Sequence, residues 1–119
     1  MIVKTVRSFG YAIRGIWLVF KNENNAKIHF TATIVVLCAG FYFHLTRKEW
    51  LGLLLAIALV WICEAFNTAI EKLVNLVHPG FHRNAGEIKD IAAGAVLIAA
   101  IFSVVTAAVI FIPKIKLLF

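Results

Sequence analysis

Residues 50–75, WLGLLLAIALVWICEAFNTAIEKLVN, constrain this chain more than any other stretch. Residues 50–63 carry no charge, and then Glu64 appears inside the apolar run, followed by Asn67, Glu71 and Asn75. At about 100° per residue on a helix, these four side chains fall within roughly 80° of one another. One end of an apolar helix therefore carries a polar stripe. An ionisable group inside a segment of membrane length is costly to keep, and it marks a functional site by default. Asn75 and Glu71 also fit a helix that is simply emerging into water, whereas Glu64 lies about two turns deeper.

Composition sets the solvent. Of 119 residues, 62% are hydrophobic and 15% are charged, with a mean hydropathy of +0.92. One soluble domain of this length could not hide so much apolar surface, so the reading is a single all-α integral membrane domain over residues 1–119. The net charge of +6 is read as contact with lipid headgroups plus orientation signals. No pattern of aromatic and basic residues on strands accompanies it, so nucleic acid is not an expected partner. Cys38 and Cys63 sit in apolar runs without metal-ligand spacing and read as small hydrophobes.

Residues 3–21 read as an amphipathic surface helix. Phe9, Ile13, Ile16, Trp17 and Phe20 share one face, and Lys4, Arg7, Arg14 and Lys21 cluster on the adjoining one with Tyr11 among them. Its apolar stretch, residues 16–20, is too short for the core of a signal peptide, so no cleaved leader is expected. Residues 22–27, NENNAK, read as a polar joint holding Glu23.

Three transmembrane helices are expected, at residues 28–45, 50–77 and 88–113. His29 and His44 mark the ends of the first and read as interfacial. Thr46 can cap the second, with Glu49 in its first turn. His78-Pro79-Gly80 stops it, residues 78–88 read as a polar loop, and Pro113 ends the third span. With three spans, the first segment and the 72–90 loop share a side. That side holds Lys4, Arg7, Arg14, Lys21, Lys27, Lys72, Arg83 and Lys89, against Arg47, Lys48, Lys114 and Lys116 on the other. This bias puts the N-terminus, Glu23, Glu71, Lys89 and Asp90 on the cytoplasmic side, with Glu64 just below that interface.

Glu64 and Glu71 are separated by roughly 10 Å of helix rise, too far to share one proton. Separate roles follow. Glu71, nearer water, can hold a hard cation such as Mg²⁺ together with Glu23. Glu64 sits where the hydroxyl of a lipid would sit and suits a general base. Asn67 can orient a carboxylate or a phosphate, Lys89 adds positive charge for phosphates, and Asp90 can orient Lys89 or accept a ligand hydroxyl. This is a set for phosphoryl transfer at a membrane surface. No Walker A or kinase-type glycine loop is present, so a nucleotide site must be built another way. The rival reading from chemistry alone is a small proton-coupled transporter with Glu64 as its relay.

The run Glu64-Ala65-Phe66-Asn67-Thr68-Ala69-Ile70-Glu71, with Lys89-Asp90-Ile91-Ala92-Ala93-Gly94-Ala95-Val96 after it, resembles the signature of the prokaryotic diacylglycerol kinase family. That family includes diacylglycerol kinases and undecaprenol kinases. The similarity extends from Phe9-Gly10-Tyr11 through Phe20-Lys21-Asn22-Glu23 to Phe111-Ile112-Pro113-Lys114. The resemblance implies a homotrimer in the bacterial inner membrane, with active sites at subunit interfaces on the cytoplasmic side. It implies a lipid alcohol as substrate and ATP with Mg²⁺ as phosphate donor. Glu64 would be the catalytic base, and Glu23 and Glu71 the metal ligands. Asn67, Lys89 and Asp90 would hold nucleotide phosphates or sugar, with Lys4, Tyr11, Phe81 and His82 lining the nucleotide. Lys4 and Gly80 depart from the arginine and acidic residue of the best-known diacylglycerol kinase type, and Asn75 from a frequent Asp. Ile28-His29 and Ala92-Ala93-Gly94 look more like the undecaprenol kinase branch.

Overall fold

The computed structural model describes every residue except Glu23, with Asn22 and Asn24 described by their backbone alone. Among the described residues, four α-helices follow one another: α1 (Ile2–Asn22), α2 (Asn24–Tyr42), α3 (Arg47–Val77) and α4 (Arg83–Leu118). There is no strand among the described residues. Among the described residues, two helices, α3 and α4, are long and apolar enough to cross a membrane.

The first helix follows its sequence pattern. Phe9, Ile13, Ile16 and Trp17 are all more than half exposed, and among the described side chains of α1 only Val19 is buried. An aromatic face that the protein leaves uncovered is what a helix lying in the acyl boundary requires.

The second helix begins earlier and stops sooner than the 28–45 segment read from hydropathy. Asn25, Ala26 and Lys27, expected in a polar joint, are helical, and Ala26 is completely buried. The far end stops at Tyr42 because His44 takes a left-handed backbone (φ 54°). Histidine tolerates that region better than bulky or β-branched residues do. The turn swings Leu45 inward, where it joins Leu53, Ile110 and Phe111 in the apolar core. Thr46 then starts α3 with the expected capping box. Its hydroxyl accepts from the Glu49 amide at 3.2 Å, and the Glu49 carboxylate accepts from the Thr46 amide at 3.0 Å.

Gly40 is what lets α2 close on this turn. A Cβ there would lie 2.6 Å from Trp50 Cη2 and 3.0 Å from Cζ2, the far edge of a rigid indole. Gly40→Ala should therefore push Trp50 off α2 and cost about 1–3 kcal/mol, the usual scale of overpacking. Thermal unfolding in detergent should show a lowered midpoint for Gly40→Ala. Gly15→Ala, where nothing lies within 4 Å of the added Cβ, should show no such drop.

The polar loop expected at residues 78–88 is shorter than that. Only residues 78–82 are non-helical, because His82 caps α4: its Nδ1 accepts from the Asn84 amide at 3.1 Å. The exposed pair Arg83–Glu87 bridges the first turn at 3.6 Å. At the other end α4 does not stop at Pro113 but runs on to Leu118. Lys114 Nζ meets Glu49 Oε2 at 3.1 Å and draws this end of α4 onto the start of α3. Helices α3 and α4 pack against each other along their length, while α1 and α2 touch α3 more lightly.

Candidate active site

The polar groups expected at the site lie on the second half of α3 and near the starts of α2 and α4. Glu64 is the deepest of them, with 0% of its surface exposed, and Asn67 and Thr68 are buried beside it. The helical period places all three on the inward face of α3, in line with the buried Leu53, Ala56 and Val60. Thr68 satisfies its own hydroxyl by donating to the Glu64 carbonyl at 2.9 Å. Neither carboxylate oxygen of Glu64, nor Asn67 Oδ1, has an aligned hydrogen bond among the described residues. A buried acceptor left without a donor costs about 1–3 kcal/mol. Three in one turn of helix mark a place where the fold gives up stability, as functional sites do.

Among the described residues, a histidine side chain comes close. His29 Nε2, from α2, stands 3.3 Å from Glu64 Oε2, within ion-pair reach though not aligned as a hydrogen bond. One turn further along α2, the Thr33 hydroxyl donates to the His29 carbonyl at 2.7 Å and accepts from the Trp61 indole N–H at 3.1 Å. Trp61 lies nearly one turn before Glu64. The antiparallel pair α2–α3 is thus pinned where His29 meets Glu64. Reading the sequence by position marked His29 as interfacial and passed over Thr33 and Trp61. The available signal was a histidine and a threonine one turn apart at the start of an apolar helix.

The remaining residues expected at the site are more widely spread. Glu71 continues the Glu64–Asn67 face about one turn nearer the end of α3 and is half-buried. Lys89 Nζ donates to Asn75 Oδ1 at 2.6 Å and ties the start of α4 to the end of α3. Asp90 is exposed next to it, and Phe81 and His82 are exposed in the connecting loop. Lys4 and Tyr11 lie on the exposed part of α1, and no hydrogen bond or ion pair among the described residues joins them to Glu64. Glu23, expected as a metal ligand, falls outside the described residues. Among those described, no three His, Cys, Asp or Glu side chains converge as a metal cage.

Beside the buried acid, α1, α2 and α3 enclose an apolar groove of about 490 Å³. Phe20, Phe30 and Trp61 form its aromatic wall, with ring centroids 5.6 Å (Phe20–Phe30) and 4.8 Å (Phe20–Trp61) apart. Ala65, the residue after Glu64, also lines it.

A buried acid past the middle of α3, an apolar groove beside it and a lysine near the start of α4 make up the candidate site within one chain. The profile of the prokaryotic diacylglycerol kinase family matches residues 10–111. The chain belongs to that family. Among its relatives, the undecaprenol kinase of Bacillus subtilis (strain 168) is 40% identical over 108 residues, covering 91% of this chain and 88% of the relative. A diacylglycerol kinase of Synechocystis is 38% identical over 107 residues, covering 89% of this chain and 61% of the relative. The diacylglycerol kinase of Escherichia coli K12 is 27% identical over 103 residues, covering 87% and 84%.

Proposed function

We propose that the chain is an ATP-dependent lipid kinase that moves the γ-phosphate to the hydroxyl of undecaprenol or diacylglycerol. The observation that carries this reading is Glu64. It is a fully buried carboxylate with neither oxygen in an aligned hydrogen bond, and it sits beside an apolar groove that fits an acyl or prenyl chain. A polyprenyl alcohol is the acceptor we place first, given the 40% identity to an undecaprenol kinase. The transporter reading finds no support beside this family membership.

In the reaction the acceptor hydroxyl gives its proton to Glu64 as its oxygen forms a bond to the γ-phosphorus. The bond from that phosphorus to the bridging oxygen breaks, and ADP leaves with the electron pair. Glu23 and Glu71 would hold Mg²⁺, which when bound neutralises charge on the phosphates. Mg²⁺ is ordinarily held by one or two carboxylates plus substrate phosphates and waters, and two glutamates are a donor set of that kind. Asn67, Lys89 and Asp90 serve the phosphates or ribose. Lys89 is held toward α3 by Asn75, which keeps its ammonium at the end of the helix pair. Lys4, Tyr11, Phe81 and His82 complete the nucleotide site.

The enzyme is read as one unit over residues 1–119, with α2 as a third span beside α3 and α4 and α1 on the cytoplasmic surface of the inner membrane. A homotrimer with sites between subunits accounts for the exposure of Lys4 and Tyr11 in a single chain. The test offers undecaprenol and diacylglycerol together in mixed micelles with labelled Mg-ATP. The expected result is labelled lipid phosphate, with undecaprenyl phosphate in excess. Labelled phosphatidic acid as the main product would reverse the order of acceptors, and no labelled lipid from either would reject the kinase reading.

A further inference from the structure

Glu64 is buried, and among the described residues His29 is a titratable neighbour on another helix. We infer that His29 is a positioning residue for the phosphotransfer, holding Glu64 Oε2 so that Oε1 is turned to the acceptor hydroxyl. This inference rests on the proposed role of Glu64 as base.

Three observations lead to it. His29 Nε2 stands 3.3 Å from Oε2, close enough for a small shift to align an N–H···O bond. The backbone that carries His29 is itself fixed, because its carbonyl accepts from Thr33, whose oxygen accepts from Trp61 on the Glu64 helix. The His29 ring also lies edge-on to the Trp61 ring, with centroids 6.4 Å apart. Histidine and acid are thus placed by the same two helices through two independent contacts. A carboxylate without such a partner would be free to rotate about its last bonds inside an apolar site. Misplacing a reacting group by about 1 Å can cost on the order of 100-fold in rate.

Holding Oε2 needs only an N–H donor at the end of a side chain of this reach. That separates positioning from mere bulk. His29→Ala removes the donor, His29→Leu keeps volume without it, and His29→Gln keeps an N–H donor. Wild type, Glu64→Gln and the three His29 variants are purified together, checked for helix content and oligomeric size, and assayed with undecaprenol and Mg-ATP. The expected result is a kcat lowered roughly 10- to 100-fold in His29→Ala and His29→Leu. The KM values for both substrates should stay unchanged, and His29→Gln should keep most of the wild-type kcat. Wild-type kcat in His29→Ala overturns the inference. So does an effect on KM alone, or equal loss in His29→Gln and His29→Ala. An inactive wild type would instead reject the kinase reading, and an active Glu64→Gln the base assignment, so the three failures are told apart in one experiment.

Discussion

Glu64→Gln is expected to abolish turnover while leaving the protein folded. Glutamine has nearly the shape of the acid, so it fills the same buried position on the inward face of α3. It also removes a buried carboxylate with no aligned hydrogen bond, which is no loss to the fold. What it cannot do is accept a proton from an alcohol. General base catalysis is worth roughly 10²- to 10⁴-fold, so kcat should fall by that order, with KM for Mg-ATP little changed. Circular dichroism and size-exclusion profiles should match wild type, and thermal stability should be equal or higher. Wild-type turnover in this variant would move the base elsewhere.

The second large effect concerns the cation. Chelating divalent metal should take phosphotransfer to background, and adding Mg²⁺ back should restore it. Glu71→Gln should then need far more Mg²⁺ for half-maximal rate, and at a fixed low concentration lose on the order of 100-fold or more, the scale set by removing one group that stabilises transition-state charge. Glu71 lies on the same face as Asn67 but nearer the end of α3, and it is half-buried where Glu64 is fully buried. A Mg²⁺ titration curve that does not shift in Glu71→Gln would remove Glu71 from the metal site.

What the sequence showed and what it did not follow from the same physics. Glu64 and Asn67 were legible because a polar residue in an apolar run stands out against a strong background, and their shared face follows from the helical period alone. The Thr46–Glu49 cap was legible because it is local, depending on four consecutive residues. His29 was not, because its role depends on which face of α2 meets which turn of α3. That pairing is tertiary, fixed by the Trp61–Thr33 bond and by the absence of a Cβ at Gly40. The start of α4 was placed late because a histidine as cap is a weak signal beside Ser, Thr, Asp or Asn. Pro113 reads as a stop, but a proline need only give up one backbone bond, and α4 carries on past it to place Lys114 against Glu49. Lys4 and Tyr11 came from the family resemblance; both are exposed on α1, and no hydrogen bond or ion pair among the described residues joins them to Glu64.

The central claim is that phosphate leaves ATP and ends on a lipid hydroxyl. The most direct measurement incubates the purified protein with Mg-ATP and undecaprenol, then counts ADP and phosphorylated lipid in the same sample by mass spectrometry. The account predicts that the two appear in equal amounts, with the phosphate on the terminal hydroxyl, and that both vanish in Glu64→Gln. ADP formed without lipid phosphate, or neither product with undecaprenol or diacylglycerol, would contradict it.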